Sequence, residues 1–453
     1  MKTAIVAVLL GLLCLSLSSS FAPKVRAQQS AVDWSPMMHH DLSRAGYSTS
    51  TGPMTNKTLW IFATENSIEY CSPAVVNGVV YIGSDDGSVY ALNAATGSKL
   101  WRYQTGGAVE SSAAVAHGIV YVGSDDDYVY ALNASTGEKV WAYKTGNEVY
   151  SCPAVYNGVV YVGSNDFNVY ALNAATGAKV WNYSTGNYIY SAPAIVDGVL
   201  YVNSYAEAYA LNASTGSKIW GYTIGNYGFT YSTTAVAEGK VYFGSTNGNV
   251  YALDAATGTK VWNFTTGAEI ESSPAVAAGA VYIGSDDDCV YALNPETGAK
   301  IWAFKTGNIV DSSPCIISGA VYVGSEDSYI YALNPASGAK IWSYLTGSAV
   351  ESFPSVANGV LYIGSDDDNV YAFGTINLPQ PSLTVPSGSS PTTSPSSIPE
   401  YPVGLIAAVL VALPSFLVIA NGTRKRKKEQ KEVTIRLKII VQNPYLLEND
   451  VGH

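Results

Sequence analysis

Apolar residues in this chain come in short bursts, each stopped by Gly, Asn, Asp or Thr, and the bursts return in the same order along the middle of the sequence. In one such unit they occupy 73–76, 79–83, 89–92 and 99–103, separated by Asn77-Gly78, Asp85-Asp86-Gly87 and Ala95-Thr96-Gly97. Segments this short and rich in Val, Ile and Tyr are strands, and no window keeps the 3.6-residue period of a helix. Asn77-Gly78 predicts a two-residue hairpin that needs positive φ. Four antiparallel strands in a repeated unit make a propeller blade.

Tryptophan marks the repeat. After Trp34 it stands at Trp60, Trp101, Trp141, Trp181, Trp220, Trp262, Trp302 and Trp342. Trp60 ends a lone fourth strand, whereas three strands with no tryptophan after them follow Trp342 and finish at Tyr371-Ala372-Phe373. The expected fold is therefore all-β: an eight-bladed β-propeller of four-stranded antiparallel blades over residues 58–376. The N-terminal strand around Trp60 should complete the last blade and remove the open edges.

The flanks have a different pattern. Residues 1–27 read as a secretory signal peptide, with Lys2, an apolar run and Val25-Arg26-Ala27 as a cleavage point. Residues 28–57 form a lead-in. Residues 377–402 are rich in Pro, Ser and Thr and read as an extended stalk. Residues 403–420 are apolar and uncharged, long enough for a transmembrane helix, and residues 421–453 open on the basic run Arg424 to Lys428. That cluster puts the C-terminus in the cytoplasm and the propeller outside the cell membrane, as a single-pass surface protein. Ile398-Pro399-Glu400-Tyr401-Pro402 resembles the PEF-type sorting signals of archaeal surface proteins, although Tyr401 stands where Phe is expected and the tail runs past the usual end. A plain anchor is the preferred reading.

Charge narrows the partners. Between Asp33 and Gly374 there are 30 acidic and 13 basic side chains, a balance that repels nucleic acid. Cys71, Cys152, Cys289 and Cys315 have no metal-ligand spacing and are expected as free thiols. His117 belongs to a hairpin turn, and His39-His40-Asp41 is read as packing in the lead-in rather than as a metal site.

Departures from the repeat point to function. Nine places after each tryptophan, before the innermost strand, stand Glu69, Glu110, Tyr150, Tyr190, Phe229, Glu271, Asp311 and Glu351. Blades 6, 7, 8, 1 and 2 are acidic there and blades 3, 4 and 5 aromatic. The turns between second and third strands divide in the same way, with Asp125-Asp126-Asp127 and Asp286-Asp287-Asp288 against Asn165-Asp166-Phe167; turn geometry accounts for most of those acids. The eight pre-strand residues are the candidate ligand-binding mouth. Their carboxylates suit Ca²⁺ or a cationic group, and their aromatics suit sugar rings or cations.

ALNAATGSKLW and its relatives resemble the tryptophan-docking motif of pyrroloquinoline quinone (PQQ)-like β-propellers, in which each indole packs on the Gly-containing turn of a neighbouring motif. The prologue WSPMMHHDLSRAGYS resembles that family's lead-in. The resemblance assigns structural docking to Trp60, Trp101, Trp141, Trp181, Trp220, Trp262, Trp302 and Trp342. The family contains quinoprotein dehydrogenases and non-enzymatic BamB-like scaffolds. The dehydrogenases carry an adjacent Cys pair and insertions bearing calcium ligands and a catalytic Asp, and this chain has neither. No catalytic residue is assigned, and PQQ is not expected. The reading is a surface-displayed binding or scaffold module for a protein or glycan. A PQQ- and Ca²⁺-dependent oxidoreductase and a structural cell-envelope component are the alternatives.

Overall fold

A computed structural model describes residues 35–224 and 231–375. The expected leader, stalk, transmembrane helix and tail, together with Trp34 and Phe229, lie outside the described residues. Within them are eight four-stranded antiparallel sheets. Blade 1 consists of Ala74–Val76, Val79–Ser84, Ser88–Asn93 and Lys99–Gln104, within one residue of the expected segments. First strands of successive blades contact one another around a central channel, so they are innermost. Second and third strands are buried on both faces, which is why they read as continuous apolar runs rather than alternating ones. The outermost fourth strands alternate, with Trp turned inward and the next residue half-exposed or exposed.

Closure is as the sequence predicts. Thr58–Ala63 pairs antiparallel with Asn369–Gly374, with Trp60 opposite Ala372, and so supplies the fourth strand of blade 8. The hairpin between first and second strands has Asn77 at φ 52° and Gly78 at φ 78°. His117 holds the same turn position at φ 51° and is exposed. All four cysteines described are free thiols.

Each tryptophan docks on the following blade. The Trp60 indole donates to the Ala94 carbonyl at 2.9 Å, Trp101 to Ala134 and Trp141 to Ala174 at the same distance. Gly97 has φ 70°, and a Cβ there would lie 2.7 Å from the Trp60 ring. Glycine is thus required twice over, for the left-handed backbone and for the indole's approach. A bulge before each docking tryptophan, as between Lys99 and Trp101, turns the ring inward.

A second donor, not anticipated from the repeat, completes the joint. The second-strand tyrosine hydroxyl bonds the same carbonyl as the indole: Tyr81 to Ala134, Tyr121 to Ala174 and Tyr362 to Ala94. Blade 8 ends without a docking turn of its own, and the lead-in replaces it. Both Trp342 and Tyr322 donate to the Pro53 carbonyl, each at 2.9 Å.

The rest of the lead-in closes one end of the channel. Its carbonyls accept from the innermost strands blade by blade: Ser35 from Val75, Pro36 from Val115, Leu42 from Ile195, Ser43 from Val236, Ala45 from Val276 and Gly46 from Ile316. The buried Arg44 guanidinium satisfies four further carbonyls, those of Met38, Cys152, Pro153 and Pro193. His39 is buried and bonds the Arg44 carbonyl through Nδ1. Burial holds its pKa down at about 4, so it is neutral near pH 7. His39 therefore packs within the floor, while Asp41 is exposed and caps its own turn at Ser43.

Candidate functional site

With one end plugged, the channel becomes a blind cup of about 360 Å³. Its wall begins at the residue before each innermost strand, and a belt of serines fixes the register there. The Ser111 hydroxyl accepts from Gly123 N and donates to the Ser151 carbonyl; Ser151, Ser272 and Ser312 do the same on to the next blade. Cys71 occupies this place in blade 1 and accepts from Gly83 N, and Ser232 occupies it in blade 5. The recurrent serine at 40-residue intervals was visible in the sequence, but its role as the belt was not read from it.

That register moves the mouth position of blade 1 and adds Tyr231 in blade 5. Counting from tryptophan selects Glu69 and Phe229, but blade 1 carries one extra residue between Ile68 and Cys71. Tyr70, at φ 47°, lines the cup there, while Glu69 does not. In blade 5 two extra residues bring Tyr231 to the wall. Of the other positions, Glu110, Tyr150, Tyr190, Glu271 and Asp311 line the cup. Glu351 does not line the cup but interacts with the Tyr70 hydroxyl that does. The ring is therefore four acids, Glu110, Glu271, Asp311 and Glu351, and four tyrosines, Tyr70, Tyr150, Tyr190 and Tyr231. The five contiguous acids expected are interrupted at blade 1. Glu148, missed because it lies two residues before Tyr150, joins the wall, together with the buried Met38, Cys152, Thr233, Ser273 and Phe353.

The turn acids separate into two kinds. The middle Asp of each turn is structural: Asp126 caps its own turn at Tyr128 N, accepts from the Tyr130 hydroxyl at 2.6 Å, and takes Gly106 N at 2.6 Å. Asp287, Asp327 and Asp367 repeat both the tyrosine and the glycine contacts. The first Asp of the turn faces the ring acids, and Oδ1 of Asp85, Asp125, Asp286 and Asp366 is buried without a partner.

Crowded, part-buried carboxyls with no cation among them are hard to ionise. Burial first, then Asp125, Asp85, Glu69 and Glu148, push Glu110 up to about 8. Burial and then Asp286, Glu269, Glu351 and Glu326 push Glu271 up to about 7. Asp366 is pushed up to about 8 by burial and its acidic neighbours. Asp311 and Asp286 lie within hydrogen-bonding reach of each other, and burial raises both. Across the cup the aromatic arc is continuous: Tyr150 and Tyr190 ring centroids are 5.6 Å apart, and those of Tyr190 and Tyr231 4.9 Å. Among the described residues no group of three or more His, Cys, Asp or Glu is placed to hold a metal ion.

The family model described as outer membrane protein assembly factor BamB matches residues 45–114, 85–231, 225–349 and 287–378. The chain belongs to this BamB-like PQQ-repeat family. Among solved structures, BamB from Moraxella catarrhalis superposes with a TM-score of 0.61 at 21% identity, covering 70% of this chain and 99% of that one. A europium-containing methanol dehydrogenase gives 0.65 at 15%, covering 74% and 90%. The quinohemoprotein alcohol dehydrogenase from Comamonas testosteroni gives 0.65 at 17%, covering 77% and 82%. These likenesses establish the propeller fold, which scaffolds and dehydrogenases share. No curated protein matches the chain in sequence.

PQQ, the cofactor associated with the dehydrogenase branch, is a planar tricarboxylate. The cup wall carries Glu110, Glu148, Glu271 and Asp311 and no Lys, Arg or His, while the Arg44 guanidinium is already bonded to carbonyls. The residues present do not fit that group.

Proposed function

We propose that this BamB-like propeller is a binding module rather than an enzyme, displayed outside the cell on a C-terminal membrane anchor, and that its acid- and tyrosine-lined cup receives part of a partner. The carrying observation is the cup itself. It is blind, polar on one arc and aromatic on the other, and of the volume that small-ligand sites occupy. Support for a protein partner comes from the BamB relative, an assembly factor by name. The aromatic arc equally suits a glycan terminus. The secretory leader, stalk and apolar segment at 403–420 support surface display.

The test is capture from native membranes by the full-length chain in detergent, set beside a Tyr190→Ala/Glu271→Gln form. A partner or glycan held by the first and lost by the second supports the reading. Equal capture by both would remove the cup from function. The oxidoreductase alternative predicts bound-quinone absorbance when PQQ and Ca²⁺ are added to the same protein.

A further inference from the structure

Resting on the reading of the cup as a binding site, we propose that its occupant is an organic cation. Its ammonium head group sits between the carboxyl groups of Asp311 and Glu271 and the rings of Tyr150, Tyr190 and Tyr231.

Asp311 is the anchor of the argument. It is only 8% exposed, lines the cup, and has Oδ1 without a hydrogen-bond partner. A carboxyl this buried needs either a proton or a counter-charge. The charged groups facing it are Asp286, Glu271 and Glu326, all acids. Glu271 in turn faces Asp286, Glu269, Glu351 and Glu326, again all acids. The wall offers no positive charge, so the unliganded pair keeps a proton, and an ionised Asp311 calls for a cation brought by the ligand.

The opposite wall fixes the chemistry of the ligand. In the ring of eight blades, blade 3 with Tyr150 stands across from blade 7 with Asp311. Tyr150, Tyr190 and Tyr231 present neighbouring rings tilted 34° and 49° to one another, a curved aromatic surface. An ammonium group is attracted both to ring faces and to carboxylates. A bare divalent ion is not served in this way: Ca²⁺ takes six to eight oxygens, and the described residues bring no group of three acids together for a metal. A cup of about 360 Å³ admits a diamine or one lysine side chain. A free amine and a protein lysine share this head group, and the experiment separates them.

The full-length chain in detergent is titrated calorimetrically with putrescine, tetramethylammonium, a lysine-containing tripeptide, CaCl₂ and maltotriose. Amines are expected to bind in preference to CaCl₂ and the sugar. Cation binding is expected to release protons to the buffer, since the carboxyls must ionise to pair, and to tighten as pH rises from 6 to 9. Asp311→Asn and Glu271→Gln should each weaken putrescine by about tenfold or more. Tyr190→Leu should weaken tetramethylammonium while leaving thermal unfolding cooperative. Binding of the tripeptide alone among the amines would identify a protein lysine as the source, and binding of putrescine a free amine. If no amine binds at millimolar concentration, or if Ca²⁺ displaces the amines stoichiometrically, the cation inference is overturned. If maltotriose or a captured partner is held in a cup-dependent way while every amine fails, the binding module survives without it. If no cup substitution alters any binding, both fall.

Discussion

Gly177 and Gly158 have nearly the same left-handed backbone, at φ 71° and 75°, yet different surroundings. A Cβ on Gly177 would come within 2.8 Å of the Trp141 ring, whereas one on Gly158 would meet nothing within 4 Å. Both alanine substitutions incur backbone strain of about 1–2 kcal/mol, and only Gly177→Ala also dislodges an indole. Gly177→Ala should therefore cost clearly more than Gly158→Ala in urea unfolding, approaching the roughly 3–5 kcal/mol of Trp141→Ala. Equal costs would mean that the docking contact contributes nothing beyond the turn. The tryptophans and their glycines could be read from spacing because a motif repeated along the chain exposes its invariant parts. Tyr121, which bonds the same Ala174 carbonyl as Trp141, could not be singled out. It sits in a strand where a tyrosine is already explained by β propensity.

The lead-in is the element whose structure the pattern did not disclose. It has no periodicity, because it is neither strand nor helix. Its carbonyls serve six different blades in turn, and such a path depends on where those blades lie. Arg44→Met would leave the carbonyls of Met38, Cys152, Pro153 and Pro193 without their donor. Buried acceptors left unpaired cost about 1–3 kcal/mol each, so the variant should lose at least about 2 kcal/mol and bind cup ligands more weakly through its disturbed floor. An Arg44→Met protein with unchanged unfolding would show that the plug is incidental. The same limit explains Glu69, and why Tyr231 was not counted in. Counting from tryptophan assumes loops of one length, and blades 1 and 5 have longer ones. The serine belt, which is a set of three-dimensional contacts, is what restores the register to Tyr70 and Tyr231.

At the scale of the whole molecule the cup's acids set a pH dependence. Burial and neighbouring acids push Glu110, Glu271 and Asp366 up to about 8, 7 and 8, well above the usual carboxyl range. Raised carboxyl values mean that the unfolded chain releases its protons first, so the contribution is full at low pH and falls as pH climbs through the folded values. His39, lowered from 6.5 to about 4, works the opposite way, but only below about pH 6.5. Between pH 6.5 and 9 the melting temperature of the ligand-free protein should fall, and a bound cation should reverse the fall. A flat or rising profile over that range would contradict the burial of these acids.

Periodic text was enough to determine the all-β class, the eight blades and the closing strand at Trp60, and the motif's resemblance to PQQ-like propellers implied the docking of each indole. Those features follow from local contacts repeated at a fixed interval, and a repeat states its contacts many times over. The sequence also divided the mouth into acidic and aromatic blades, but the places of Tyr70, Tyr231 and Glu148 in the wall and the plugged floor were settled only by tertiary structure. Residues as far apart as Tyr70 and Asp311 come to line one cup only once the ring has closed, and their spacing along the chain does not record which residue of each longer loop faces inward.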